Sequence, residues 1–166
     1  MITKISKFVK NDIIKYLLKT IIIGMIIFLV NNFLFQLCFV NGVSMEPCLR
    51  NGQVIIIKKF NLDFKYGDII VIKKNNNIII KRLVGLPNDN IKIDEYLYIN
   101  DIKKEEYYIE KKYDFAEEIY LNDSQYFVIG DNLNNSIDSR SNEIGIIDRN
   151  EIIGKMIFNS IKTVKN

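Results

Sequence analysis

The segment Ile69-Ile70-Val71-Ile72-Lys73-Lys74-Asn75-Asn76-Asn77-Ile78-Ile79-Ile80 decides how this chain folds. Two short β-branched runs flank a polar asparagine turn. Apolar runs this brief, bounded by turn residues, read as β-strands rather than helices. The same pattern spreads outward. Val54–Ile57, Tyr126–Ile129 and Ile152–Phe158 are further runs, and Gly52, Tyr66-Gly67-Asp68, Pro87-Asn88-Asp89 and Gly130-Asp131-Asn132 punctuate them. The expectation is a mostly β domain, an antiparallel barrel-like or folded sheet. Residues 90–123 differ: they are charged and tyrosine-rich, with Ile91–Ile93 and Tyr96–Ile99 as a candidate hairpin. Glu105, Glu106, Glu110, Glu117 and Glu118 follow, so this stretch reads as an inserted, more exposed β subdomain.

Upstream, no charged residue occurs from Thr20 to Met45, and Ile21 to Val30 is apolar apart from Gly24. A span from Tyr16 or Leu17 to Leu37 reaches about 20 residues, enough for a ~30 Å hydrocarbon core. Asn31, Asn32 and Gln36 dilute its far end. Lys4, Lys7, Lys10, Lys15 and Lys19 precede it, opposed by Asp12 alone, which places the N-terminus in the cytoplasm. Residues 1–40 are then a cytoplasmic N-terminus with a single transmembrane anchor in the cell membrane, and 41–166 a domain on the outer face. A cleaved signal peptide is the rival reading, but no small-x-small site follows the apolar run.

The chain has 166 residues and a net charge of +3, much of it at the N-terminus, which suits a lipid bilayer rather than nucleic acid. It contains no histidine. That excludes a Ser–His–Asp or Cys–His hydrolase and any His-ligated metal site. Any hydrolytic base must be Lys, Asp, Glu or Tyr. Cys38 and Cys48 are too few for a disulfide framework and read as unpaired thiols. Neither a metal nor a cofactor is implied.

Four segments carry recognisable order: Gly42-Val43-Ser44-Met45-Glu46-Pro47, Gly67-Asp68-Ile69-Ile70-Val71, Ile79-Ile80-Lys81-Arg82-Leu83-Val84-Gly85-Leu86-Pro87-Asn88-Asp89, and Gly130-Asp131-Asn132-Leu133-Asn134-Asn135-Ser136-Ile137-Asp138-Ser139-Arg140. They resemble the boxes of bacterial type I signal peptidases: S-M-x-P, G-D-[IV]-[IV], K-R-x-x-G-L-P-G-D and G-D-N-x-x-x-S-x-D-S-R. The resemblance implies a membrane-bound serine endopeptidase that removes signal peptides from secreted preproteins, with Ser44 as nucleophile and Lys81 as general base. It implies that Ser136 orients the Lys81 amine, and that Asp138 and Arg140 form an ion pair shaping the site. Met45, Ile79 and Ile80 become candidates for lining small substrate pockets. On pattern alone Lys81 is one more strand lysine beside isoleucine; for Ser44 the bland reading is a turn serine, and its position a few residues after the anchor decides against that.

The chemistry of such a dyad is demanding. A serine hydroxyl needs a base within hydrogen-bond reach. Lysine serves only when neutral, and burial among apolar groups favours that form. Departures from the family pattern are Gly42, where some members carry a hydroxyl that assists the oxyanion hole, Cys48 after the proline, Asn88 in place of glycine, and Leu133-Asn134. Asn88 suits a left-handed turn. Two alternatives remain open: a mitochondrial inner-membrane-type Ser–Lys peptidase, and a decayed anchored β domain that only binds preproteins. The eukaryotic reticulum branch, which uses histidine, is excluded.

Overall fold

A computed structural model describes residues 2–109 and 118–159, with the backbone alone at 2–12, 31, 32 and 159. Helix α1 runs Ile2–Leu29. A π-helical turn, Val30–Leu34, ends it, and strand β1 follows at Phe35–Phe39. The expected helical span to Leu37 therefore stops short: Phe35-Gln36-Leu37 alternate in strand period and join a sheet. Correspondingly, the chain divides into two compact units between Gln36 and Leu37, slightly before the expected boundary at residue 40. Among the described residues no helix is long and apolar enough to cross a membrane. Every described α1 side chain, from Ile13 to Leu29, is exposed. The side chains of Lys4, Lys7, Lys10 and Asp12 lie outside the described part.

Among its described residues the second unit is built of β-strands, with two short 3-10 turns, Leu133–Asn135 and Arg149–Glu151. Strands β2 (Val54–Lys58), β3 (Ile69–Lys74), β4 (Asn77–Gly85), β9 (Gln125–Ile129), β10 (Ile147–Asp148) and β11 (Ile152–Asn159) join β1 in a seven-stranded sheet ordered β1-β2-β11-β3-β4-β9-β10. β3 and β4 are linked by Asn75-Asn76, with φ of 49° and 64°. Two successive positive φ values are what a tight hairpin requires, and asparagine tolerates them. β3 is apolar on both faces because both are covered. Ile69 and Val71 pack with Met45, Leu49, Ile55 and Ile57, whereas Ile70 and Ile72 pack with Leu83, Val128 and Ile147.

The insert forms its own four-stranded sheet, β7-β6-β5-β8, from β5 (Asn90–Ile93), β6 (Tyr96–Ile99), β7 (Ile102–Tyr108) and β8 (Glu118–Tyr120). It is less separate than expected: Ile91, Leu97 and Ile99 share a core with Val84, Phe127 and Ile129 of the larger sheet. At the junction, Asn88 takes φ 69°, and buried Asp89 accepts from Leu86 N–H at 2.6 Å and Tyr66 O–H at 2.8 Å. Glu110 and Glu117 lie outside the described residues.

Candidate active site

Ser44 lies in the connection from β1 to β2. The turn closes through Glu46 N–H to Val43 O at 3.0 Å and Leu49 N–H to Met45 O at 2.8 Å. Met45, 2 % exposed, anchors it in the core, so the half-buried Ser44 hydroxyl is held by its buried neighbour. Gly42 has φ +94°, and its N–H donates to Asn51 Oδ1 at 3.0 Å. A side chain there would meet open space but strained backbone. The Ser44 N–H has no hydrogen-bond partner among the described residues.

Lys81 sits in the middle of β4. Alternation puts it on the same face as Ile79 and Leu83, directly opposite Ile70 on β3. Ile70 and Leu83 are fully buried, and Lys81 itself is 4 % exposed. This desolvation pushes the amine below its ordinary value of 10.5; Asp138 pulls it back up, Arg140 pushes it down and Asp131 pulls it up. Lys81 makes no ion pair among the described residues. Its Nζ stands 2.8 Å from Ser44 Oγ, as donor in the ammonium form. The neutral amine reverses that bond and accepts the hydroxyl proton.

The segment after β9 supplies the third wall. Asn132 N–H donates to Ser44 O at 3.0 Å, and its side-chain amide to Val43 O at 3.3 Å. Gly130 permits this approach, since a Cβ on it would lie on Ser136 Oγ and 2.5 Å from Ser44 O. The Gly130 N–H donates to Asp138 Oδ2 at 2.9 Å. Asp138 in turn is paired with Arg140 through Nε and Nη2, both at 2.8 Å, with the two side chains 0 % and 1 % exposed. Arg140 Nη2 also donates to Leu133 O at 2.9 Å. One buried fork thus ties both ends of the loop together.

Ser136 departs from expectation. Its hydroxyl is buried and has no hydrogen-bond partner among the described residues, Lys81 included. The short 3-10 turn Leu133–Asn135 delivers it in extended backbone against Gly130 instead. Of the candidate pocket residues, Met45 and Ile80 pack in one cluster, while Ile79 packs in another. Sequence reasoning gave Asp131 only a turn role and Arg82 none. In fact Arg82 Nε and Nη2 grip Asp131 Oδ1 and Oδ2, both at 2.6 Å, while Nη1 donates to Gly67 O at 2.6 Å. The available signal was strand alternation: next to an inward Lys81, Arg82 faces the opposite way, toward the segment after β9. Cys38 and Cys48 are free thiols, the first buried and the second exposed.

The arrangement can activate a hydroxyl for attack on a carbonyl, with an open backbone N–H beside it. The family model described as "Signal peptidase, peptidase S26" matches residues 13–161. The chain is 37% identical to Signal peptidase I of Bacillus amyloliquefaciens over 89% of its length and 90% of that protein's. It is 39% identical to Signal peptidase I U of Bacillus subtilis (strain 168), covering 82% and 81% respectively. With Signal peptidase I P of Bacillus subtilis subsp. natto it shares 32% identity over 95% of each chain.

Proposed function

The chain belongs to the signal peptidase family, peptidase S26, and removes signal peptides as a serine peptidase; within that activity we propose that Ser44 is the nucleophile and Lys81 the general base. The observation that carries this reading is the 2.8 Å contact between the Lys81 amine and Ser44 Oγ, on a lysine that burial drives toward its neutral form. The neutral amine takes the Ser44 proton as Oγ attacks the scissile carbonyl, then returns it to the departing amine. A water activated by the same amine hydrolyses the acyl-enzyme. Ser44 N–H is the oxyanion donor; Gly42 brings no side chain to help it. Ser136, with an uncommitted buried hydroxyl, is the supporting group for the amine, and the Asp138–Arg140 fork holds the loop that carries Ser136.

The substrate enters as an added strand. Among the described residues β4 pairs with β9 only from Arg82 onward, and its Asn77–Ile80 edge on that side is the one an extended peptide would take. Met45 and Ile80 are proposed to wall the pocket that excludes large side chains, with Ile79 supporting the strand from the opposite cluster. Residues 1–36 are proposed as a cytoplasmic N-terminus and single-pass anchor, with the β unit on the outer face. Lys15 and Lys19 lie near the start of the apolar part of α1, and its exposed Ile, Leu, Met and Phe side chains suit lipid.

The test uses a preprotein whose signal peptide ends in a small-x-small site, with the product's N-terminus sequenced. Wild type is expected to cut after that site. Ser44→Ala and Lys81→Ala are expected to lose about a thousandfold or more of the rate. Cleavage that survives Lys81→Ala would remove the dyad.

A further inference from the structure

A cleft of about 470 Å³ opens between the turn that carries Ser44 and the loop whose Asn132 N–H donates to Ser44 O. Its walls come from two segments that the site has already brought together. Glu46 and Pro47 continue the nucleophile turn, and Asp131, Asn132 and Asn134 belong to the loop whose N–H grips Ser44 O; Tyr108 of the insert closes the far side. A peptide lying along Asn77–Ile80 cannot continue straight, because β9 occupies the β4 edge from Arg82 onward. The 131–134 loop that lines the cleft follows directly on β9.

The charges of the cleft are unequal. Asp131 is neutralised by its two-bond grip on Arg82. Asn132 and Asn134 are uncharged amides, and Tyr108 brings a phenol. The carboxylate of half-buried Glu46 has no ion-pair or hydrogen-bond partner among the described residues, so the cleft carries one uncompensated carboxylate. Glu46 stands at the variable position of the Ser-Met-x-Pro box, where the family pattern demands no particular side chain.

We propose that this cleft binds the first residues of the mature chain, and that Glu46 makes it select lysine or arginine over acidic residues just past the cleavage site. The inference rests on Ser44 being the nucleophile. A single carboxylate at a half-buried, solvent-connected site discriminates between opposite charges by about fivefold, and salt weakens the effect.

The test compares two preproteins identical except for Lys or Glu at the second mature residue, cut by the full chain in detergent micelles. The lysine substrate is expected to have a kcat/KM about fivefold higher, with the ratio shrinking as salt is raised. In Glu46→Gln the ratio is expected to fall toward one, and in Glu46→Lys to invert. Equal rates in wild type, a ratio insensitive to salt, or a ratio that survives in Glu46→Gln would each overturn the proposal while leaving the dyad intact. Failure of wild type to cut either substrate would instead overturn the dyad reading, and this inference with it.

Discussion

Lys81 shows how a residue of unremarkable sequence context acquires a special state. Its chain neighbours, Ile80 and Arg82, decide little. Ile79 and Leu83 on its own face and Ile70 across the β3–β4 pair keep it dry. The direction of its shift has a consequence for stability. Between the depressed value and the ordinary 10.5, the unfolded chain binds more protons at this position than the folded one. Folding stability should therefore rise with pH across that window, and the contribution is lost as pH falls through the folded value. Lys81→Met is expected to abolish that part of the slope, as read from denaturant midpoints over alkaline pH. Gly130 makes the second residue-scale case. Adding one methyl would press on Ser44 O and Ser136 Oγ, so Gly130→Ala is expected to cut the cleavage rate about a hundredfold by misplacing the nucleophile. KM should change less than kcat. Ser44 and Lys81 were legible as a pair only through the ordered motifs around them. Strand alternation gave the side on which Arg82 lies, but its grip on Asp131 and the missing Ser136–Lys81 bond depend on how loop side chains turn, which no residue spacing specifies.

At the scale of elements, the strands written in short, turn-bounded Ile and Val runs fell where those runs lie: β2, β3, β4, β5, β6, β9 and β11, with β4 continuing beyond its run to Gly85. The missed ones are instructive. β1 was hidden within an apolar stretch that continues from α1, and hydrophobicity alone does not separate helix from strand. β7 reads Ile102-Lys103-Lys104-Glu105-Glu106-Tyr107-Tyr108; it is an edge strand whose charges face solvent, so it lacks the apolar signature. The loop from Gly130 to Arg140 looks like polar filler in sequence but is pinned by one buried fork. Breaking that fork by Asp138→Asn leaves the Arg140 guanidinium buried without its charge partner. The expected cost is about 3–5 kcal/mol, visible as a lowered thermal midpoint. The Asp138→Asn, Arg140→Met double variant should recover part of it, because the stranded charge is gone.

For the whole molecule, the proposed division of labour is helix α1 as the anchor in the bilayer and a β unit that does the chemistry. The full chain is therefore expected to stay in the membrane pellet after alkaline carbonate extraction, and release into the supernatant would refute the anchor. Attachment and chemistry are expected to meet in a single activity profile. That profile, the cleavage rate of the membrane-reconstituted full chain measured on one preprotein from about pH 6 to about pH 10, is the most direct test. The rate is expected to climb through one ionisation lying below 10.5, as the buried amine loses its proton, and to vanish across the whole range in Lys81→Ala. A flat profile, or a climb that persists in Lys81→Ala, would contradict a lysine base.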